Sequence, residues 1–480
     1  MSTVHIPALR FGEAYQSLDL NDVPDCRTGE VLARTSMVNA GLIRRDLKKV
    51  KRAYDALGQK TVAELVEISR KAGELFMGGT LPLGDDTQSA EQYIENLSAT
   101  SGLPQVMVRQ NMEKIHYVLG NTDTVLAGLS RGLDLSVLDK GIVEQDGMAY
   151  SYFPTSHSLG VILPSNSPGV NSLWLPSLAL KVPVIMKPGR EEPWTPFRLM
   201  QAFMAAGCPK EAFCFYPTTH EGSGAVLEMT GRSILFGDAK TVQKYAQDDS
   251  VSIHGPGFSK VLIGEDQIDD YEAYLDVLVA SIARGGGRSC INASAIIVPR
   301  KGRELAEALA KKLAEIQPRP LDDESAALSA FANPAVAESI NARIEAELQG
   351  SGVEDITAQV RQGERLVQLN GSTFLQPTLC YADTIDHPLA RAEYLFPYAC
   401  VVEVPQDQML EQIGPSLVVS AVTEDRHFIE ALLASSDIPR LNIGRVPTAF
   451  VEWNQPHEGN LFEFLYHRRA IHVSRSEDLA

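Results

Sequence analysis

The chain of 480 residues has no run of eighteen consecutive apolar residues, so nothing in it reads as a membrane span. Its six cysteines form no CxxC pair and its ten histidines no HExxH or HxxxH grouping, which argues against a metal site or a disulfide framework. Basic residues are scarce, 43 against 61 acidic ones, for a formal net charge of −18. An acidic surface repels phosphate backbones, so nucleic acid is not an expected partner. The opening stretch MSTVHIPALRFGEAY lacks a basic start followed by an apolar core, and no signal peptide is expected. Sparse thiols in a large acidic chain suit a reducing cytoplasm. Internal repeats and low-complexity tracts are missing too. What is present is globular, with 44% hydrophobic and 22% charged residues and a length that suits two or three domains.

Apolar side chains recur at helical spacing over 38–57 and 61–77, and 90–130 also reads as helical. Near residue 131 the texture changes. Asp146-Gly147 lies between alternating segments and predicts a hairpin, a candidate β ribbon. A regular alternation follows: strands at 159–163, 182–186, 212–216, 233–236 and 260–264, with helices over 170–180, 194–206, 221–229 and 239–247 between them. Short apolar strands separated by helices imply a parallel sheet covered on both faces, with ligands beyond the strands' carboxyl ends. A long helix over 268–284 leads to three glycines, and a second α/β series runs from 293–299 through 399–404 and 417–423. The segment 318–350 is expected to be helical and the tail 462–473 to be a strand.

Four places carry possible chemistry. Cys290, in ARGGGRSCINAS, follows glycines that end a helix and precedes a buried strand, with Arg288 near enough to favour a thiolate. It is either a loop nucleophile or a small buried hydrophobe. Asn166, in LPSNSP, is either an oxyanion donor or a turn residue. Lys187, past the second strand, either binds ribose or phosphate or is simply solvated. Phe236-Gly237-Asp238 either lets a flat ring or pyrophosphate approach the backbone or caps the next helix. Phe153, Trp174, Tyr394 and Trp453 are candidates for an apolar pocket, or for core.

The order of the segments is more informative than any one of them. LGVILPSNSP, LPSLALKVPVIMKPGREEPWTP, LFGD, HGPGFSKVLIG, ARGGGRSCINASAIIVP, FLQPTL and AEYLFPYACVVEV resemble, in that order, the aldehyde dehydrogenase superfamily over roughly residues 30–475. The resemblance implies an α/β fold: a Rossmann-like cofactor domain over 1–134 and 156–266, a catalytic α/β domain over 267–444, and a small β oligomerisation ribbon over 135–155 and 455–480. It implies that Cys290 is the nucleophile and Asn166 the oxyanion donor. Pro164, Ser165, Lys187, Phe236, Gly237 and Glu393 would contact the cofactor, Lys187 and Glu393 through its riboses. A homodimer or homotetramer acting on a small aldehyde or acyl thioester would follow.

The departures from that pattern shape the functional expectation. Hydrolytic members carry a water-activating glutamate where Ile253 or His254 stands in VSIHGPGFSK. A thioester lacking that carboxylate should persist until a better nucleophile arrives, so a coenzyme A-acylating enzyme, an acyl-CoA reductase, is expected. The alternatives are a hydrolytic enzyme whose base lies elsewhere, an acyl phosphate reductase, and a non-catalytic binding protein on this fold. His254 is either a base or a satisfied loop histidine. Arg190 replaces a glutamate common in NAD-selective members and favours NADP over NAD, unless Glu191 or Glu192 pairs with it. Leu395 stands where the family has phenylalanine, and Ser165 where it has the tryptophan before the asparagine.

Overall fold

The computed structural model describes residues 3–472. Leu159–Ile162 is buried at every position, because helices cover both faces of the sheet it starts. It pairs in parallel with Val184–Lys187 on one side and Arg232–Phe236 on the other. Phe213–Phe215 continues the first side and Val251–His254 the second. The strand order therefore reverses at Leu159–Ile162. The crevice beyond its carboxyl end, at 163–166, is the switch point where such sheets receive ligands.

The N-terminal residues add what the sequence reading did not anticipate. Ala8–Arg10 extends the first sheet antiparallel to Phe213–Phe215, Glu13–Tyr15 pairs antiparallel with Ala8–Arg10 beyond it, and Val4–Ile6, Leu20–Pro24 and Val31–Ser36 form a separate small sheet. These strands are three to six residues long, too short for a periodic signal to stand out.

The strand expected to close the first series belongs elsewhere. Ser259–Ile263 lies in a second seven-stranded sheet, between Ala293–Val298 and Val418–Val422. That sheet continues through Tyr398–Glu403, Thr378–Ala382 and antiparallel Val353–Asp355 on one side, and Arg440–Ile443 on the other. The chain thus leaves the first sheet at His254 and enters the second at Ser259. The carboxyl end of one sheet is set against the amino end of the other.

Several expected helices are broken, for local reasons. Residues 38–57 form Ala40–Leu47 and Lys51–Gly58. The 90–130 region forms Ala90–Ser101, Gln105–Gly120 and Thr122–Leu129, interrupted where Gly102 turns left-handed (φ 74°) before Pro104. Prolines at 168 and 176 split 170–180 into a 3-10 turn, Pro168–Leu173, and one short helical turn, Pro176–Ala179. Within 318–350 only Pro334–Leu348 is helical, capped by Asn333. The 268–284 helix is regular only over Leu275–Ala283.

The hairpin forms as expected: Val143–Gln145 pairs with Met148–Pro154 across Asp146 and Gly147, both with positive φ. Tyr466–Arg469 adds to it antiparallel, completing a three-stranded ribbon. The expected tail strand begins as a short helix, Leu461–Leu465, and its final residue, 473, lies outside the described residues, as does the ribbon range beyond 472.

One buried cation ties the helical layer together. Arg198 is 1% exposed and donates to the carbonyls of Phe76 (3.1 Å), Gln88 (2.9 Å) and Gly79 (2.6 Å). Replacing it with methionine leaves three buried carbonyls without a donor. We expect Arg198→Met to lower unfolding free energy by about 3 kcal/mol, read as a reduced urea midpoint.

Candidate active site

The site forms where the chain crosses between the sheets. Gly285 and Gly286 adopt left-handed angles (φ 66° and 73°), end the helix Leu275–Ala283 and start the turn that carries Cys290 ahead of Ala293–Val298. Asn292 fixes that turn by donating to the carbonyls of Ser281 and Arg284, both at 3.1 Å, and accepting from the Ser289 N–H at 3.0 Å. The Cys290 carbonyl accepts from Ser259 Oγ at 2.8 Å. Gly257 packs against the same carbonyl so closely that a Cβ there would lie 2.1 Å from the oxygen.

Cys290 is half-buried, whereas the other five cysteines are buried. Its Sγ donates to Glu458 Oε1 at 3.4 Å. Glu458 Oε2 contacts His254 Nδ1, and His254 Nε2 lies 3.2 Å from Ser252 Oγ. The Phe236 ring packs against His254 at 4.6 Å between centroids. On the far side, His457 Nε2 is 3.8 Å from Glu458 Oε1, while Arg440 donates to His457 Nδ1 at 2.7 Å. Burial, with Arg440 beside it, depresses His457 to about 4, so at neutral pH it is an uncharged ring with its proton toward Glu458.

Asn166, expected from the sequence as an oxyanion donor, meets the thiol loop: its Nδ2 donates to the Arg288 carbonyl at 2.6 Å. One of its two amide hydrogens remains for another acceptor. Glu393 accepts from the backbone N–H groups of Gly257 (3.2 Å) and Phe258 and so holds the crossing loop. Burial raises its carboxyl to about 7 against the opposing effect of those bonds.

Arg288 does not serve the thiol as expected. Its guanidinium is committed to the Ser101 carbonyl at 2.9 Å and the Ala330 carbonyl at 3.4 Å. Burial first, and then the charges of Glu458 and Glu393, push the Cys290 thiol well above its ordinary value. In Glu458 burial is again the largest single effect and would raise the carboxyl, but His254, His457 and the thiol together bring it below its usual range.

Two cavities flank this cluster. One, of about 340 Å³, is lined by Val125, Leu129, Leu173, Trp453 and Phe464, with His254 and Glu458 at its wall. No lysine or arginine lines it among the described residues. Of the aromatics considered for a pocket, only Trp453 lies here. Trp174 is fully buried and donates to Asn171, Tyr394 packs edge-on against Tyr398, and Phe153 is exposed on the ribbon. The other cavity, of about 550 Å³, opens at the switch point and includes Pro164, Ser165, Lys187 and Arg190. The amino end of the helix His220–Met229, where Thr219 makes no side-chain cap, borders it. Phe236 and Gly237 lie nearer His254 than this cavity, and Asp238 caps the following helix by accepting from Thr241 N at 2.7 Å.

Sequence reasoning missed Glu458, His457 and Arg440. The thiol and Glu458 are 168 positions apart, and PHEGN carries no spacing that marks it. The one available signal was indirect: a carboxylate missing from 253–254 invited a search for another among 61 acidic residues.

A family model described as "Aldehyde dehydrogenase family" matches residues 16–414. The chain is 23% identical over 404 residues to a malonate-semialdehyde dehydrogenase of Halalkalibacterium halodurans, covering 80% of this chain and 76% of that protein. It is 25% identical over 295 residues to an N-succinylglutamate 5-semialdehyde dehydrogenase of Vibrio cholerae, covering 58% and 56%. Among solved structures, the aldehyde dehydrogenase KauB from Pseudomonas aeruginosa superposes with a TM-score of 0.81 at 16% identity, covering 98% of this chain and 96% of that one. An indole-3-acetaldehyde dehydrogenase in complex with NAD+ gives 0.80 at 16% identity, covering 97% and 96%.

The electrostatics of the thiol generate a prediction. Cys290 should be the one cysteine that iodoacetamide labels in the folded protein. Because its thiolate is scarce at neutral pH, labelling should quicken by about tenfold per pH unit from roughly pH 7 to 9. Site-resolved mass spectrometry reads this, and a rate that levels off near pH 7 would contradict the raised thiol.

Proposed function

The chain belongs to the aldehyde dehydrogenase family, and from that premise we propose that it oxidises an uncharged, largely apolar aldehyde with NADP or NAD, through an acyl group on Cys290 that water then releases. The observation that carries this reading is the convergence of one thiol, a side-chain amide, an imidazole and two carboxylates at the crossing between the sheets, beside an apolar cavity.

The Cys290 sulfur attacks the aldehyde carbon. The free hydrogen of the Asn166 amide and the Cys290 backbone N–H receive the oxygen as it gains charge, a contribution of about 3 kcal/mol per donor. A nicotinamide dinucleotide, when bound, accepts the hydride. The second cavity suits such a group by its donors: Lys187 at a strand's carboxyl end, an uncapped helix amino end for phosphate, and Ser165 and Pro164 lining the switch point. Glu393 holds the loop facing the thiol, and the family resemblance assigns it to the nicotinamide ribose.

Arg190 supports NADP. It is exposed in that cavity, and no ion pair involves it among the described residues. Glu192, one of its expected partners, is buried and accepts instead from Thr195 N at 2.8 Å.

The expectation of coenzyme A as acyl acceptor rested on a missing carboxylate at 253–254. Glu458 supplies a carboxylate beside the thiol from another part of the chain, which favours water. The cavity's lack of a cation favours an aldehyde without a carboxylate of its own.

Steady-state assays test these points. An unsubstituted alkyl aldehyde should be oxidised to its acid without coenzyme A, and faster than an acidic semialdehyde. Cys290→Ala should abolish turnover, and activity surviving it would refute the nucleophile. Asn166→Ala should lower kcat by roughly 100-fold. Arg190→Glu should move cofactor preference from NADP toward NAD by roughly tenfold, the worth of one charge-assisted hydrogen bond.

A further inference from the structure

We propose that Glu458, held by His254, is the general base that activates the deacylating water, in place of the glutamate the family carries at the crossing loop. The inference rests on the reading that Cys290 carries the acyl group. Its support is geometric. Glu458 is the carboxylate in hydrogen-bond contact with the Cys290 sulfur, and its other oxygen is engaged by His254, one of the two residues that stand where hydrolytic members carry their glutamate.

The backbone shows that this placement is built. Glu458 sits in the left-handed region (φ 52°), followed by Gly459 (φ 109°). A non-glycine residue there costs about 1–2 kcal/mol and persists only where its surroundings fix it. Both flanks are fixed. Arg440 bonds to His457 at 2.7 Å, and Asn460 donates to the Leu129 carbonyl at 2.8 Å while capping the helix Leu461–Leu465. The carboxylate also lines the largely apolar cavity, so it meets both the sulfur and that space.

Acylation explains how one carboxylate changes partner. In the free enzyme Oε1 accepts the thiol hydrogen. As the sulfur bonds to the acyl carbon its proton is lost to solvent, so Oε1 is left as an ionised acceptor beside the thioester while His254 keeps Oε2 in place. A water then donates to Oε1. Its oxygen bonds to the acyl carbon as one proton passes to Glu458. The tetrahedral adduct collapses, the carbon–sulfur bond breaks with the electron pair returning to sulfur, and Glu458 returns the proton to the thiolate. The acid leaves and loses its own proton to solvent.

An active ester such as p-nitrophenyl acetate tests this without any nicotinamide, because it acylates the thiol directly. Wild type should show a burst of nitrophenolate followed by steady turnover. Glu458→Gln should keep a burst of one equivalent, with one acetyl group on Cys290 by mass spectrometry, while steady turnover falls by about 100-fold or more. Hydroxylamine, a nucleophile that needs no base, should restore that turnover. His254→Gln should slow deacylation less, since it acts through Glu458. Turnover of Glu458→Gln within about threefold of wild type overturns the proposal. If Glu458→Gln also loses the burst, Glu458→Asp decides: a recovered burst with measurable turnover supports the base, and loss of both overturns it. A burst that survives Cys290→Ala overturns the nucleophile and the base together. A wild-type burst without turnover until coenzyme A is added overturns water as the acceptor.

Discussion

The contact on which the site depends is between two pieces of backbone. Gly257 lies against the Cys290 carbonyl where a single added carbon would overlap it, and Ser259 bonds to the same oxygen. This clamp joins the crossing loop to the loop that carries Cys290. Glu393 reinforces it by accepting from the N–H groups of Gly257 and Phe258. Because His254 ends the first sheet just before this clamp and Ser259 begins the second just after it, the imidazole, the sulfur and the amide of Asn166 have fixed relative positions. Substrate chemistry at a sheet-to-sheet junction needs such rigidity, since a misplacement of about 1 Å can cost orders of magnitude in rate.

Much of this was legible in the residues. The parallel first sheet, the glycine turn before Cys290, the Asp146-Gly147 hairpin and the contact of Asn166 with the loop that carries Cys290 all follow from patterns that act over short distances or from the order of motifs. What escaped the reading was long-range. Ser259–Ile263 has the same apolar texture as the strands before it, and only its partners, Ala293–Val298 and Val418–Val422, place it in the second sheet. Proline positions broke helices whose periodicity was otherwise sound, as at 168 and 176.

Charge was the least legible property. Arg288, two residues from the thiol, looked like its activator, yet its guanidinium points to carbonyls of other segments. The charges that raise the thiol are acidic and come from 458 and 393. Proximity in sequence says little about which way a long side chain turns, and a loop at the end of the chain supplied what the crossing loop lacks. The thiol's resistance to ionisation in the free enzyme is then a resting condition, one that protects the sulfur from adventitious oxidation.

The ribbon strand Tyr466–Arg469 begins eight positions after Glu458 and zips onto Ser151–Pro154 of the hairpin. The last segment of the chain therefore has two anchors, one on the projecting ribbon and one in the reaction cleft. A hybrid made by exchanging residues 450–472 between relatives would therefore move Glu458 and the ribbon edge together, while leaving the cavity at the switch point to the recipient.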